Sequence, residues 1–401
     1  MLAYPAFSRF LLARLGVSFA VQMQTVAVGW QIYEITHDPL DLGLIGLSQF
    51  LPFVVLVLPA GHFADRHTRQ KVLAACYGLL FLCALLLLAF TLSGVLVAWP
   101  VFAVMVLFGV GRAFAMPTGQ ALMPNLVPPA LFSRAVAVNS TTWQLSTIAG
   151  PAIGGLVYLL GAEVVYSVVA TLLAAAVFLM LGVRAPRPSR VGQTAGLEGL
   201  LEGLRFVFRR KVILGAISLD LFAVLFGGAT ALLPAYASDV LNVGPDGLGW
   251  LRAAPGVGAA VIALAFAWRP LTRRVGPAML GGAGLFGLAT VVFGVSESFT
   301  VSLVALAVLG AADMVSVYVR HMLVQLETPD QIRGRVSAVN AVFIGASNEL
   351  GEFESGVTAA WWGLRPAVVV GGVASIMIAG LWARWFPALR EMREFPAPAT
   401  R

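Results

Sequence analysis

The stretch Arg134-Ala135-Val136-Ala137-Val138-Asn139 returns as Arg335-Val336-Ser337-Ala338-Val339-Asn340, and this recurrence decides the fold. The offset is 201 in a chain of 401 residues, so the sequence repeats by halves. At the same offset Gly109 falls on Gly310, Pro128 on Pro329 and Gly150 on Gly351. The sequence around the repeat is apolar: 59% of residues are hydrophobic, 11% are charged, and the mean hydropathy is +0.89. A soluble domain carries roughly 25% charged residues; less than half of that cannot clothe a water-facing surface, so most of this surface faces lipid. One crossing takes about 20 apolar residues, and with its connection about 33, so the length allows about twelve passes and no large extramembrane domain. Apolar runs fall at 9–34, 40–61, 70–93, 98–123, 135–160, 163–183, 212–237, 247–268, 277–296, 299–325, 336–362 and 365–386. Both copies of the repeat sit between spans four and five of their half. The expected architecture is therefore an all-α membrane protein, twelve transmembrane helices in two pseudo-symmetric six-helix bundles. Parallel repeats about an axis along the membrane normal characterise one large class of transporters, with cargo bound near the midplane between the halves.

Charge supplies orientation and excludes other classes. With both termini on the cytoplasmic side of a bacterial plasma membrane, all 26 Lys and Arg fall to that side except Arg112, Arg252, Arg320 and Arg365. The pI near 9.9 is thus a topology signal, and no nucleic-acid partner is expected. Arg9 and Arg14 precede an apolar run without a small-residue cleavage signal, which reads as a first span. The expected division is an N-terminal bundle at 1–184, a linker at 185–211 and a C-terminal bundle at 212–401. In the linker Leu197, Leu200, Leu201, Leu204 and Phe208 recur at helical spacing among Glu198, Glu202, Arg205 and Arg209, the pattern of an amphipathic helix on the inner membrane surface. Trp30, Trp99, Trp361 and Trp362 near span ends read as interfacial anchors. Cys76 and Cys83 share one apolar stretch, and His37, His62, His67 and His321 are scattered, so neither a disulfide framework nor a metal site is expected. No phosphate-binding GxxxxGK[ST] loop is present, and no cofactor is expected.

The loop after span two, Gly61-His62-Phe63-Ala64-Asp65-Arg66-His67-Thr68-Arg69-Gln70-Lys71, resembles the GxLaDrxGrk signature of the major facilitator superfamily, with Thr68 where that pattern has glycine. Span five carries Gly150-Pro151-Ala152-Ile153-Gly154-Gly155, similar to the GPxxGG core of antiporting members, with Ser146 in place of an earlier glycine. The runs Gly111 to Pro117 and Gly345 to Gly356 are similar to the enterobactin-exporter and macrolide or multidrug efflux branch. The resemblance implies the major facilitator fold and secondary active transport rather than enzymatic catalysis. The expected activity is proton-coupled export of an amphipathic organic molecule, a siderophore or a drug, by a monomer. The resemblance gives Gly61, Asp65, Arg66 and Arg69 a gating role and Gly150, Pro151, Gly154 and Gly155 an antiport-type role. Small residues at such positions also serve plain helix packing.

Charges at mid-bilayer cost at least about 2.5–3.5 kcal/mol each, so those that persist are functional candidates. The resemblance makes spans one, four, seven and ten cavity-lining, and these hold Gln22, Gln24, Arg112, Asp220 and Asp313. Arg112 and Asp313 are repeat equivalents, and Ser316 and Arg320 share the face of Asp313. In span eleven Glu349 and Glu352 lie about 60° apart around the helix, while Glu354 points elsewhere. Asp220, Asp313, Glu349 and Glu352 are the proton-coupling candidates, against static hydrogen bonding or ion pairing between helices. Import of a small solute is the alternative direction. An intramembrane enzyme built on Gly345-Ala346-Ser347 with His321 as base is the remote one, since Asn348 stands where such a site has glycine.

Overall fold

The computed structural model describes residues 4–94, 97–128, 131–184, 197–329 and 332–396. Within these, the side chains of residues 57–58, 61–62, 64–66, 133, 197–200, 333 and 338 lie outside the description. The helices are α1 (Pro5–Thr36), α2 (Pro39–Arg66), α3 (Arg69–Ser93), α4 (Trp99–Leu122), α5 (Phe132–Tyr158), α6 (Ala162–Leu181), α7 (Leu197–Arg209), α8 (Lys211–Gly227), α9 (Pro245–Trp268), α10 (Val275–Val295), α11 (Phe299–Glu327), α12 (Arg333–Trp362) and α13 (Leu364–Trp385). The breaks have local causes. His37 takes the left-handed conformation and donates its N–H to the Tyr33 carbonyl, Asp38 accepts from Leu40 N at 2.9 Å, and Pro39 opens α2. Gly94 closes α3 in the same left-handed geometry.

Among the described residues ten helices are long and apolar enough to cross a membrane. The remaining two of the twelve spans are α5 and α12, of 27 and 30 residues. They are long enough but more polar, through Ser140, Thr141, Thr142, Gln144 and Ser146 in one, and Asn340, Ser347, Asn348, Glu349 and Glu352 in the other. The same helix of each half is thus the polar one. The chain forms two compact units, residues 1–193 with 242–253, and residues 194–241 with 254–401.

Within each unit the repeat is visible as packing. In the first, Gly109 of α4 leaves room for the Gln49 carbonyl and for Pro52 Cγ of α2, 2.7 Å from where a Cβ would stand. In the second, Gly310 of α11 leaves room for the backbone of Pro255 in α9. Likewise Gly150 of α5 lies on Gln22 of α1, and Gly351 of α12 lies on the Val224 and Leu225 carbonyls of α8. Repeat-related glycines therefore let repeat-related helices pack closely, the mode of association that lipid favours.

Span seven departs from the sequence expectation of one continuous helix. It stops at Gly227 and resumes as a 3-10 turn (Ala229–Leu232), one helical turn (Leu233–Ala235) and a π turn (Tyr236–Val240). Gly228 leaves helical geometry at ψ 44°, and Pro234 cannot restore the bond pattern. Hydroxyls of neighbouring helices reach the interrupted backbone: Ser355 donates to the Gly228 carbonyl at 3.2 Å and Ser375 to that of Ala223 at 2.8 Å. Irregular backbone at membrane depth needs such partners.

The linker helix α7 packs one edge on α12. Gly203 and Val207 face α12, Val207 in a buried cluster with Val336 and Val339 of that helix, whereas Leu201 and Phe208 are exposed. Leu197 and Leu200 lie outside the described side chains. Glu202 forms an ion pair with Arg335, and a Cβ at Gly203 would stand 2.8 Å from the Arg335 carbonyl oxygen. Close backbone contact at Gly203 and the apolar cluster around Val207, with half-buried Leu204 packed against it, hold α7 on α12. Gly203→Val is therefore expected to lower the melting temperature of the purified protein, since overpacking costs about 1–3 kcal/mol. Glu202→Ala, at a partly exposed pair worth about 0–1 kcal/mol, is expected to change it little; equal shifts for both would contradict this account.

Candidate functional site

The residues singled out from sequence divide between the units. In the first, Arg112 follows the close-packed Gly109 by one turn, and its Nη1 donates to Gln49 Oε1 of α2 at 3.3 Å. Arg112 lines a cavity of about 330 Å³ walled by α1 to α5, together with Arg14, Phe53, Tyr77, Gln120 and Trp143. Gln22 donates to Thr147 Oγ1 of α5 at 3.3 Å. Gln24 is buried, and its Oε1 meets no donor among the described residues. Gln31, on the same helix, is satisfied: it donates to Thr91 Oγ1 at 2.9 Å and accepts from Tyr166 at 2.7 Å.

The GPxxGG segment is a seam between helices. Gly150 and Gly154 face α1, with Met23 Cα 2.8 Å from a Cβ at 154. Gly155 faces the start of α9, where Gly249 Cα lies 3.0 Å from its missing Cβ, and a Cβ on Gly249 would in turn stand 2.7 Å from the Pro151 carbonyl oxygen. Four glycines, Gly150, Gly154, Gly155 and Gly249, thus let three backbones meet.

At the loop joining α2 to α3, Arg69 Nη1 donates to the Ala121 carbonyl at 2.8 Å, capping the end of α4. His67 stacks on Phe63 at 3.9 Å between ring centroids. Thr68 has φ −66°, a region open to every L-residue, so glycine is not required at this position. The surroundings of Gly61 and the side chains of Asp65 and Arg66 lie outside the description.

In the second unit the acids gather. Asp220 of α8 is buried and forms an ion pair with the buried Arg320 of α11. Ser316 Oγ, one turn before Arg320, donates to Asp220 Oδ1 at 3.4 Å. Asp313, two turns before Arg320 on the same face, stands within electrostatic reach of both. It follows the close-packed Gly310 by one turn, as Arg112 follows Gly109. Two carboxylates and one guanidinium carry one net negative charge, and one proton makes the group neutral. Glu349 and Glu352 are half-buried on α12, flanking Gly351 where it touches α8. Ser347 is buried and donates to the Ile344 carbonyl at 2.9 Å. Among the described residues no group of three His, Cys, Asp or Glu is placed to hold a metal ion.

Sequence reasoning does not select Arg14, Gln49, Ser355 or Ser375. An amide in the apolar run of span two is the available signal for Gln49. Arg14 reads as one more topology charge, and the two serines look like any small residue.

Comparison with known proteins agrees with this architecture. Residues 10–352 match the model of the Major Facilitator Superfamily. The chain is 29% identical over 387 residues to the multidrug efflux pump Tap of Mycolicibacterium fortuitum, covering 92% of each. It is 28% identical over 344 residues to the enterobactin exporter EntS of Escherichia coli O1:K1 / APEC, covering 84% of this chain and 81% of that one. Among solved structures it superposes on a bacterial homologue of the human lysosomal transporter Spinster, inward-facing and unoccupied, with a TM-score of 0.76 at 15% identity and coverage of 98% and 99%. It also superposes on the nucleoside transporter NupG, with a TM-score of 0.71 at 14% identity and coverage of 96% and 99%. The family consists of carriers rather than enzymes, and its fold accounts for twelve spans repeated by halves. This chain is a multi-pass membrane transporter belonging to the Major Facilitator Superfamily.

Proposed function

We propose that this carrier is a proton-coupled exporter of an amphipathic organic molecule, working by alternating access in the bacterial plasma membrane as a monomer with both termini cytoplasmic. Its moving parts are the bundles 1–184 and 212–401, joined by 185–211, with the Gly61–Lys71 loop as the cytoplasmic gate. The observation that carries the coupling is the group Asp220, Arg320 and Asp313. An isolated ion pair in lipid is a fixed structural element, whereas the third charge gives this group a reason to load and release one proton. The efflux pump and exporter among the relatives support the outward direction. So does the antiport-type segment at Gly150 to Gly155.

Cells with and without the protein, preloaded with siderophores, macrolides, tetracyclines or dyes, test direction and cargo together. Faster efflux with the protein is expected, abolished by collapse of the pH gradient; accumulation from outside would reverse the assignment to import. Glu349 and Glu352 extend the proposed proton path on α12. Replacing both with Gln is expected to leave downhill exchange intact and to remove the response to a pH gradient. If the double variant still concentrates cargo on that gradient, these two glutamates are not part of the path.

A further inference from the structure

The linker helix α7 has a second edge, opposite the one that packs on α12. Gly203 and Val207 dock on the first two turns of α12, at Arg335, Val336 and Val339. Val207 shares its buried cluster with Ile213 and Ile217, from the first two turns of α8. Only Arg210 separates α7 from α8, so the helix leaves directly from the end of span seven. Two turns of helix rise about 10 Å. Docking there sets α7 at the depth of the lipid headgroups, where amphipathic helices lie about 5–10 Å into the boundary between headgroup and acyl chain.

On the opposite edge Leu201 and Phe208 are 39% and 58% exposed, two turns apart on one stripe. Arg205 is exposed between them, one turn from each, and Arg209 is exposed beside it. Neither arginine forms an ion pair among the described residues. Glu202 is engaged by Arg335, and the side chain of Glu198 lies outside the description. Arg210 leans over the Phe206 ring, 5.7 Å from its centroid, and stands within electrostatic reach of Glu327, so it adds less. A cation flanked on one stripe by two apolar side chains suits the membrane boundary, with the charge at the headgroups and its neighbours inserted below. A guanidinium offers a phosphate paired N–H donors. The choline or ethanolamine of a zwitterionic lipid would bring a further cation toward Arg205 and Arg209, whereas phosphatidylglycerol brings none.

We propose that this edge of α7 binds anionic phospholipid of the cytoplasmic leaflet, Arg205 and Arg209 holding the headgroup phosphates and Leu201 and Phe208 the glycerol and upper acyl carbons. Such binding is independent of cargo, direction and coupling. It rests on the proposed cytoplasmic placement of the linker.

In a full chain carrying Cys76→Ser and Cys83→Ser, an NBD fluorophore attached through Phe208→Cys reads the lipid beside α7 by its quenching with doxyl-labelled lipids. Phosphatidylcholine nanodiscs receive either doxyl-phosphatidylglycerol or doxyl-phosphatidylcholine; both leaflets carry the same mixture, so the measurement holds whichever way the chain lies. Half-quenching is expected at a lipid fraction at least about tenfold lower for the anionic lipid. Arg205→Gln combined with Arg209→Gln is expected to remove most of that preference, and Arg205→Lys combined with Arg209→Lys to keep most of it. In the chain with both arginines intact, NaCl at about 1 M is expected to abolish the preference, which tests the charge without altering the helix. Equal quenching by the two lipids would overturn the proposal, as would a preference that survives in the Gln pair or in salt, or one lost equally in the Gln and Lys pairs. So would the absence of quenching by either lipid, which sets this edge against water or protein, and loss of the preference in dilute inorganic phosphate, which assigns it to a free anion. A membrane-impermeant maleimide applied to intact cells carrying Phe208→Cys reads sidedness separately: labelling from outside refutes the cytoplasmic placement and leaves the lipid surface standing.

Discussion

Asp313→Asn is expected to abolish uphill transport driven by a pH gradient while leaving downhill exchange of cargo, whereas Asp220→Asn is expected to damage the protein itself. The difference follows from which carboxylate already has a cation. Asp220 and Arg320 are both buried and paired between α8 and α11. Removing one member of a buried pair leaves an uncompensated charge and costs about 3–5 kcal/mol. In Asp220→Asn, Arg320 loses the carboxylate it contacts, and the Asp313 carboxylate, which forms no ion pair with it among the described residues, has to take that place. The melting temperature of the purified variant should drop, and the yield of folded protein with it. Asp313→Asn keeps the shape and leaves Asp220 with Arg320 as a neutral pair. What it removes is the third charge, and with it the means of alternating between two charge states. Substrate counterflow in proteoliposomes should survive in Asp313→Asn, and accumulation on an imposed pH gradient should fall to the background of protein-free vesicles. Intact pH-driven accumulation would place the coupling proton elsewhere. A melting temperature of Asp220→Asn equal to that of the wild type would show that the pair does not hold α8 to α11.

Both carboxylates are visible in the sequence because charge within an apolar run is conspicuous. Their pairing is not. Asp220 and Arg320 are 100 residues apart, and no periodicity within one helix reports a contact with another. Helical spacing places Arg320 on the face of Asp313 and says nothing of Asp220. The twelve spans and the repeat are legible for a similar reason, since both are patterns along the chain. The interruption of span seven is hidden, because Gly227 and Gly228 occur in a run whose composition is that of any membrane helix. It shows only when Gly351 packs on the α8 backbone and Ser355 and Ser375 turn toward its carbonyls. Arg14 shows the opposite hazard. Near a chain end, a basic residue reads as a topology marker, and Gly119, the glycine that seats it against α4, is 105 positions away in sequence. The linker helix differs again: its leucine spacing foretells a helix, while the close approach at Gly203 and the burial of Val207 show only in the packing on α12.

Gly310→Val is expected to be among the most damaging single substitutions in the chain, and Gly109→Val its counterpart in the other half. In water, helices are pressed together by burial of apolar surface. In lipid that force is absent, and close backbone approach through small residues takes its place. A Cβ on Gly310 would overlap the backbone of Pro255, and the obstacle is a carbonyl and its attached ring, neither of which can rotate away as a side-chain tip can. Gly109 meets the Gln49 carbonyl and Pro52 in the same way. Overpacking of this kind costs about 1–3 kcal/mol and more where backbone must move. The functional loss should exceed the loss of stability, because Arg112 and Asp313 lie one turn beyond these two contacts and would move with α4 and α11. Gly281 of α10 provides the control. It is exposed and a Cβ there meets nothing within 4 Å, so Gly281→Ala is expected to be neutral or to gain about 0.5–1 kcal/mol from helix propensity. Thermal unfolding of the three purified variants, with counterflow measured on each, separates packing from a general intolerance of substitution. A Gly310→Val protein that melts like the wild type would mean that α9 and α11 are not held by this contact, and the structural basis given for the repeat would fail with it.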